Sequence, residues 1–384
     1  MRSWRRHLHA HPELGFQEHR TAAFIRSLLD EWQLPYTTPL ETATVVSVRG
    51  DIDGPVLLIR ADIDALPIQE ENRTSYASTR PGVMHACGHD GHTAILLGIA
   101  KWLSRCGSAF RGEVRLLFQP AEEPVPSGAP ALIEAGVLEG AAAAVGLHLS
   151  SWLDTGEIAL TKGEVMASDD RFDITIIGSG GHPYAPHDAV DALTIASDLV
   201  SQLSRLVSQR IDPLSSAVVT IGSFHSGDTY NAIPSEAHFS GTVRTLSAAN
   251  RNQLEADLVG LTNAYAAAHH ATAKVSYLRS SPPLLNSARV VDYVRPAAAA
   301  VVGADRVTSP SPTMGSEDFA FYSERIPSAY AFVGARNGVS LPHHHPRFDI
   351  DEEALAIGFR YFANIVDRWI DPSAPEPNLH VPAR

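Results

Sequence analysis

The densest group of residues that could do chemistry is the run His85–His92, which reads His-Ala-Cys-Gly-His-Asp-Gly-His. Cys87 and His89 are two positions apart, so in an extended segment both side chains would project the same way. A helix that follows them would offer its positive N-terminus to a thiolate. A thiolate and an imidazole beside a glycine make a poor core element, so the pattern favours a metal site over packing. The other cysteine, Cys106, stands alone and is interpreted as a packing residue.

Two adjacent carboxylates, Glu122 and Glu123, follow an apolar run that ends at Pro120. Adjacent carboxylates at a strand end repel each other unless a cation or a shared proton relieves the repulsion. Neighbouring side chains of extended backbone point apart, so one glutamate could bind a metal while the other moves protons. The alternative is a pair of solvated loop residues.

Histidines supply further candidate ligands. His148 lies in an apolar run, where a lone histidine can equally be a satisfied core residue, and residues 343–345 form a triple histidine that can equally be a surface loop. Spacing alone does not choose among the three. A thiolate, several imidazoles and a carboxylate pair suit a borderline-soft divalent ion, above all zinc. Five candidate ligands exceed the four of one tetrahedral zinc, which favours two ions and the hydrolytic chemistry of two-metal sites.

The elements that must position these groups are typical of an α/β layer. Apolar runs at Val56–Ile59, Val114–Phe118 and Ala143–Leu147 each lead into polar residues, and His92–Leu103 has the apolar spacing of a helix. Strands alternating with helices predict the α/β class, here a catalytic domain with a largely parallel sheet covered by helices. Ligands of such sheets bind where the strands stop, which is where the polar residues fall.

A second pattern starts near residue 168, with the element order β-α-β-β-α-β. The predicted strands and helices are Phe172–Ile177, Ala189–Gln209, Ala217–Phe224, Ala237–Thr245, Arg251–His269 and Ala273–Leu278. This order is that of the ferredoxin-like fold, with both helices on one face of a four-stranded sheet. We therefore expect an inserted α+β domain at residues 168–282 and a catalytic domain built from residues 1–167 and 283–384. The proline-rich tail after Asp371 is expected to lack regular structure.

Composition excludes several classes of protein. The 384 residues are 44% hydrophobic and carry a formal net charge of −13, which is the wrong sign for a nucleic-acid binder. No apolar stretch approaches the roughly 18 residues needed to cross a bilayer. We therefore expect no nucleic-acid or membrane partner and a cytoplasmic location. Two cysteines exclude a disulfide framework.

Ordered motifs spread along almost the whole chain connect it to a known family. They are Leu8–Gly15, Arg60–Pro67, His85–His92, Phe118–Glu123, Gly180–His182, Asn231–Pro234, Gly241–Thr245 and Gly315–Phe319. In these motifs the sequence resembles the M20 metallopeptidase family. The similarity is to its amidohydrolase branch, which includes hippurate hydrolases, auxin-conjugate hydrolases and N-acyl-amino-acid amidohydrolases.

The resemblance implies a role for each candidate residue. The implied ligands of two divalent ions, zinc or alternatively manganese, cobalt or nickel, are Cys87, His89, Glu123, His148 and His344. Glu122 is implied to be the general base that activates the water between the metals. His344 is the match because the family's last ligand precedes a variable residue and a proline, with His343 and His345 as backups. Asp62 is not expected to be a ligand, whereas Asp64 is expected to orient a metal-binding imidazole.

The resemblance also implies that the inserted domain is a lid and dimerisation element. His182 would reach the partner's active site and stabilise the oxyanion, while Asn231 and Arg244 would grip the substrate's carboxylate. An arginine can hold a carboxylate through two hydrogen bonds. The alternatives are an Arg244 paired with an acid of its own chain and a His182 that is only a turn residue. The expected assembly is a homodimer, or a tetramer built on it.

The leading hypothesis is a dinuclear metal amidohydrolase that cleaves the amide bond of a small N-acyl amino acid. One alternative is a dipeptidase or aminopeptidase-type exopeptidase of the same fold. A second is a cysteine amidase with Cys87 as the nucleophile. A third is a non-catalytic binding protein, although a degenerate site would have no use for the intact acid pair Glu122-Glu123.

Overall fold

The computed structural model describes residues 1–338 and 341–373. The chain divides into two compact units. The larger comprises Met1–Gly163, Leu285–Ser311 and the chain from Asp318 onward, and the smaller comprises Glu164–Leu284 and Pro312–Glu317. Most of the proline-rich tail lies outside the described residues. The predicted domain boundaries and the lid role stay predictions.

The secondary structure of the described ranges consists of the following elements. The strands are β1 (Tyr36–Thr37), β2 (Thr44–Arg49), β3 (Ile52–Asp62), β4 (Arg111–Gln119), β5 (Ala141–Ser150), β6 (Ile158–Ala159), β7 (Gly163–Met166), β8 (Asp170–Ile177), β9 (Ala217–Ser226), β10 (Glu236–Thr245), β11 (Thr272–Arg279), β12 (Leu284–Asn286), β13 (Val307–Thr308) and β14 (Ser328–Gly334). The α-helices are α1 (Arg2–Ala10), α2 (His19–Glu31), α3 (His89–Leu103), α4 (Gly128–Glu134), α5 (Ala192–Leu203), α6 (Leu206–Arg210), α7 (Ala248–Ala268), α8 (Ala288–Val302), α9 (Ala320–Ser323) and α10 (Ala354–Ile370).

The larger unit is built on a mixed sheet of strand order β1-β2-β4-β3-β5-β14-β6-β13. Its centre is parallel, since β3 pairs in parallel with both β4 and β5, and β14 pairs in parallel with β5. Towards one edge β2 runs antiparallel to β4, and towards the other edge β6 runs antiparallel to β14. The predicted α/β class is therefore confirmed, and the parallel part is the centre of the sheet.

Polar residues lie at the carboxyl ends of the parallel strands β3 and β4, side by side. Asp62, the last residue of β3, lies opposite Gln119, the last residue of β4. Helix α3 packs against β3, and its apolar stripe from Ile95 to Leu103 belongs to the buried core. The Thr93 hydroxyl donates to the Asp62 carbonyl at 3.1 Å, which ties the first turn of α3 to the end of β3. The polar residues at the end of β3 and at the start of α3 are thus held in place by the packing of α3 on the sheet.

The smaller unit has the strand order β11-β8-β10-β9, with antiparallel pairing throughout. In chain order this is strand four, one, three, two, the arrangement of a ferredoxin-like sheet. Helices α5 and α7 both pack on the sheet and on each other. Their core includes Phe172, Ile174, Leu199, Phe239 and Leu254.

The helix predicted over Ala189–Gln209 is wrong in its bounds. The structure has two helices there, α5 and the short α6. The Asp191 carboxylate accepts the backbone N–H groups of Leu193 and Thr194, so it caps α5 and fixes its start at Ala192. At the other end, the Ser204 hydroxyl donates to the Val200 carbonyl at 2.8 Å, a local bond that disfavours continuation of the helix.

Membrane-spanning segments are not found among the described helices. None of them combines the length and the apolar character that crossing a bilayer requires.

A buried ion pair joins helix and sheet in the smaller unit. Arg251 of α7 donates from Nη2 to Asp170 Oδ1 at 2.6 Å and from Nε to Asp170 Oδ2 at 2.9 Å. The Tyr277 hydroxyl also donates to this carboxylate, at 3.1 Å. The Asp170 side chain is fully buried and that of Arg251 is 8% exposed.

Replacing Asp170 with alanine should destabilise the smaller unit by about 3–5 kcal/mol, because it leaves the Arg251 guanidinium buried without a counter-charge. Hydrogen exchange of β8 and β11 amides, measured by mass spectrometry, would report this loss. The matched control is Asp257→Ala, which breaks a more exposed pair with Arg210 and should cost under about 1 kcal/mol. Equal effects of the two variants would contradict the role assigned to the buried pair.

Candidate metal centre

Cys87 and His89 flank the residue that precedes α3. Gly88 adopts a left-handed conformation with φ of 89°, which glycine tolerates and other residues rarely adopt. The expectation of an extended Cys87–His89 segment is therefore wrong in its detail. A sharp turn brings the thiol and the imidazole together instead, with both side chains buried.

Cys87, His89 and His148 form a buried group of three potential ligands. Their donor atoms all lie within 4.8 Å of one another. The Cys87 Sγ atom is 3.4 Å from His148 Nε2. His148 comes from β5, where it lies opposite Phe332 of β14 in the centre of the sheet.

Cys87 also belongs to a second group of three, with Glu123 and His344, whose donor atoms again lie within 4.8 Å of one another. His344 Nε2 is 3.2 Å from Glu123 Oε1. His344 has a positive φ of 66°, and its backbone N–H donates to the Ala86 carbonyl at 2.8 Å, which anchors its loop beside Cys87. The five implied ligands are therefore brought together, in two groups that share one sulfur atom.

His89 and His148 each use Nδ1 in a hydrogen bond, so Nε2 is the atom of each ring that could bind a metal. His89 Nδ1 lies 3.0 Å from the Asp64 carbonyl and 3.2 Å from its Oδ1, so the proton belongs on Nδ1. His148 Nδ1 donates to the Leu149 carbonyl at 2.9 Å. Among the described residues, the buried His89 Nε2 atom has no hydrogen-bond partner, and Glu123 Oε1 faces the His344 imidazole at 3.2 Å. Buried polar atoms without partners are costly, so this donor set fits a bound cation.

The predicted orienting role of Asp64 has a structural basis in these contacts. Its Oδ1 accepts from His89, and its Oδ2 accepts the backbone N–H of Glu123 at 3.0 Å. A carboxylate that holds the far nitrogen of an imidazole fixes both its tautomer and its orientation.

Glu122 and Glu123 converge instead of pointing apart. The two carboxylates and His89 form a further group with donor atoms within 4.8 Å of one another. The expected divergence is wrong because the segment bends after Ala121, which has a positive φ of 56°. The Asp318 backbone N–H faces Glu122 Oε1 at 3.4 Å. The Glu122 carboxylate therefore lies beside the candidate ligands His89 and Glu123.

The neighbours of His344 have other partners. His343 Nε2 donates to the Leu149 carbonyl at 3.0 Å, and burial lowers the pKa of His343 to about 4. His345 Nδ1 accepts the backbone N–H of Arg347 at 3.0 Å. Within the described residues, His344 is the one of the three that joins a group of potential ligands.

Burial and charge shift the pKa values of these side chains. Burial, and then the Glu123 carboxylate, raise the pKa of the Cys87 thiol. Hydrogen bonding to Cys87 and Glu123 raises the pKa of His344 to about 10. Burial holds the pKa of His148 well below its usual range, so this imidazole is neutral and able to coordinate.

A buried network that sequence reasoning missed surrounds Asp62. Its Oδ1 accepts from His92 Nδ1 at 2.6 Å, and its Oδ2 accepts from Arg60 Nη1 at 2.6 Å. His92 Nε2 accepts the backbone N–H of Leu149, so its proton lies on Nδ1. Although burial favours the neutral acid, His89, His92 and Arg60 hold the pKa of Asp62 well below its usual range. Both oxygens of the Asp62 carboxylate are therefore used in these contacts. The sequence points to Arg60 only through its position in the motif Arg60–Pro67.

Arg60 extends the network to the next strand. Its Nη2 donates to Asp318 Oδ1 at 2.5 Å, and its Nε donates to Gln119 Oε1 at 2.8 Å. The Gln119 amide in turn donates to Asp318 Oδ2 at 2.6 Å. One guanidinium therefore balances two buried carboxylates, Asp62 at the end of β3 and Asp318 shortly before α9.

The three site residues predicted in the smaller unit are exposed or partly exposed. His182 follows Gly181, which forms a two-way backbone bridge with Ile233, and Asn231 lies two residues before that bridge. The bridge therefore holds the loops of His182 and Asn231 side by side. The His182 ring contacts the exposed Tyr184 ring at a centroid distance of 4.5 Å.

Arg244 lies on β10, inside the sheet of the smaller unit. Its Nη2 is 3.1 Å from Asp169 Oδ1, and its Nη1 donates to the Met314 carbonyl at 3.0 Å. The alternative of an arginine paired with an acid of its own chain thus describes its contacts. The side chain is still 29% exposed.

Comparisons with known proteins identify the family of the chain. The model of peptidase family M20/M25/M40 matches residues 58–368. The N-acetyl-L-cysteine deacetylase of Bacillus subtilis (strain 168) is 40% identical over 368 residues, which cover 96% of this chain and 87% of the relative. The N-acyl-L-amino acid amidohydrolase of Geobacillus stearothermophilus is 46% identical over 272 residues, which cover 70% of this chain and 74% of the relative.

A solved structure of an M20 family protein has the same fold as this chain. The YXEP protein of Bacillus subtilis, a dinuclear metal binding peptidase from the M20 family, superposes with a TM-score of 0.83. It is 37% identical, and the match covers 94% of this chain and 95% of that protein. The chain belongs to peptidase family M20/M25/M40 and is a metal-dependent hydrolase of amide bonds.

Proposed function

We propose that the protein hydrolyses the amide bond of N-acyl amino acids, releasing a carboxylic acid and the free amino acid. The observation that carries this proposal is the pair of ligand groups that share Cys87, with the Glu122 carboxylate beside them. Two relatives similar over most of the chain are named for N-acyl amino acids or for N-acetylcysteine. The substrate class is the part of the proposal that rests on these names.

Cys87, His89, His148, Glu123 and His344 would hold two divalent ions. Bound ions would polarise the acyl carbonyl and make water acidic enough to react at neutral pH. A sulfur and nitrogen donor set favours zinc, with manganese, cobalt or nickel as the alternatives.

Glu122 would act as the general base and then as the general acid. Its carboxylate takes a proton from the attacking water as the carbon–oxygen bond forms at the acyl carbon. It then delivers that proton to the amide nitrogen as the carbon–nitrogen bond breaks. Asp318 supports this role, because its backbone N–H faces Glu122 Oε1 and can help to hold the carboxylate in place.

The smaller unit would supply recognition of the substrate. Arg244 and Asn231 would bind the substrate's carboxylate, and His182 would stabilise the oxyanion in the active site of a second subunit. Arg244 would first have to leave Asp169 or share itself between two carboxylates. A homodimer formed through this unit, a tetramer built on it and a cytoplasmic location belong to the same proposal.

An exopeptidase of the same fold is the second candidate, because the solved relative is a peptidase. A panel of N-acetyl, N-benzoyl and long-chain acyl amino acids, assayed beside dipeptides, separates the two. We expect faster turnover of the acyl amino acids, whereas preference for dipeptides would favour the exopeptidase.

Chelation should abolish activity and zinc should restore it, with about two ions per chain by elemental analysis. Activity that survives complete metal removal would favour Cys87 as a nucleophile.

Glu122→Gln should keep both metal ions and lower kcat by about 10²–10⁴-fold, because an amide cannot accept the proton. The matched control is the adjacent Glu123→Gln, which should lose metal together with activity. Metal content and turnover measured on the same samples distinguish the two glutamates. Full activity of the Glu122 variant would refute its role as the base.

A shared site predicts complementation between inactive subunits. His182→Ala and Glu122→Gln chains, each inactive alone, should regain up to about a quarter of wild-type activity when co-expressed, since about half of the random dimers contain one intact site. Co-expression of Glu122→Gln with Glu123→Gln is the control and should give no rescue. A lack of rescue in the first pair would place His182 outside the partner's site.

A further inference from the structure

We propose that Glu18 is a positioning residue that holds the segment carrying Glu122 in its reactive conformation. The inference rests on the proposed role of Glu122 as the base. It assigns a function to the end of the N-terminal segment Glu13–Glu18, which supplies neither a candidate ligand nor a substrate contact.

The segment after β4 turns sharply at Ala121. This residue is fully buried and has a positive φ of 56°, a region that a residue with a β-carbon rarely occupies. Its backbone N–H donates to Glu18 Oε1 at 2.8 Å, and its carbonyl accepts from the Gly128 N–H at 2.7 Å. A left-handed alanine persists only where surrounding contacts hold it. The Glu18 carboxylate supplies one of the two backbone contacts that do so.

Glu122 is consequently flanked by two anchored backbone N–H groups. The N–H of Ala121 is bound by Glu18, and the N–H of Glu123 is bound by Asp64 Oδ2 at 3.0 Å. Glu18 and Asp64 are themselves buried. The peptide unit that follows the base and the one that precedes Ala121 are therefore fixed by carboxylates from two other segments of the chain.

The same N-terminal segment also packs against the far side of the bend. A β-carbon on Gly15 would lie 2.7 Å from Pro124 Cγ and 3.2 Å from Ala121 Cα, so only glycine fits here without a shift. The segment is held to the residues that follow β3, because the Ala65 N–H donates to the Glu13 carbonyl at 2.8 Å. The bend that carries Glu122 is thus enclosed by the N-terminal segment, with Glu18 as its polar contact.

What the base requires from Glu18 is a hydrogen-bond acceptor and not a negative charge. Burial, and then the nearby Asp64 carboxylate, raise the pKa of Glu18 to about 7, so the neutral acid is already well populated near neutral pH. A glutamine offers the same acceptor oxygen at the same reach. An alanine removes it and frees the Ala121 turn to relax.

The test compares Glu18→Ala with Glu18→Gln. We expect the alanine variant to lose about 10- to 100-fold in kcat, because a small misplacement of a catalytic group costs this much. Its KM should stay within about twofold and its metal content should stay at the wild-type value, since the ligands are not moved. The glutamine variant should keep kcat within about threefold of the wild type. Equal losses in both variants, or wild-type kcat in the alanine variant, would overturn the proposal.

Two further variants separate positioning from general destabilisation. Glu70→Ala is the matched control, since its buried carboxylate accepts a backbone N–H from Ser78 at 2.6 Å, elsewhere in the same unit. It should lower the melting temperature about as much while leaving kcat unchanged. Adding Ala121→Gly to Glu18→Ala should recover part of the lost kcat, because glycine adopts a positive φ without strain. No recovery, or an equal kcat loss in the Glu70 variant, would reject the positioning role.

The proposed function and this inference fail in different ways. If Glu122→Gln is fully active, the assignment of the base is wrong, whatever the Glu18 variants do. If Glu122→Gln is inactive and Glu18→Ala is as fast as the wild type, the base assignment stands and only the positioning role is refuted.

Discussion

The Asp64 carboxylate is the constraint on which the candidate metal centre depends, because it fixes groups from two separate segments at once. One oxygen accepts from the His89 imidazole and the other accepts the Glu123 backbone N–H. The first residue of α3 and the segment after β4 cannot separate without leaving a buried carboxylate unpaired, which is costly. The same contact fixes the tautomer of His89. A single side chain thereby sets both the chemistry of one candidate ligand and the position of another.

Burying so many acids beside that centre requires compensation, and Arg60 supplies it. Its guanidinium contacts Asp62 and Asp318 from near the end of β3, and all three side chains are almost fully buried. Because Asp62 stays ionised, it holds His92, which accepts the backbone N–H of Leu149 next to His148. A buried charge that lost its partner would destabilise the fold and misplace the imidazoles together. The same buried ion pairs therefore determine both the stability of this part of the sheet and the geometry of the site.

The sequence predicts the architecture well because hydrophobic periodicity is local, and the runs near Val56 and Val114 identify their strands without reference to the rest of the chain. Local patterns do not say which backbone N–H a buried carboxylate will meet. Arg60 and Asp318 are 258 positions apart, and Glu18 and Ala121 are 103 apart. The same limit explains the errors at Gly88 and Ala121, where extended backbone was expected. Both residues adopt positive φ, and the resulting turns create the convergence that the chemistry needs.

The electrostatics of Cys87 link the sulfur shared by both ligand groups to the cations themselves. Burial and the Glu123 carboxylate both raise the pKa of this thiol, so protein groups alone favour the protonated sulfur, which is a poor ligand. A bound divalent ion would reverse this balance, because its charge exceeds that of the nearby carboxylate and it would bind the thiolate directly. Loading of the site should therefore release a proton from Cys87. A buried thiolate, a buried carboxylate and bound cations would each be costly alone, and together their opposite charges would offset that cost.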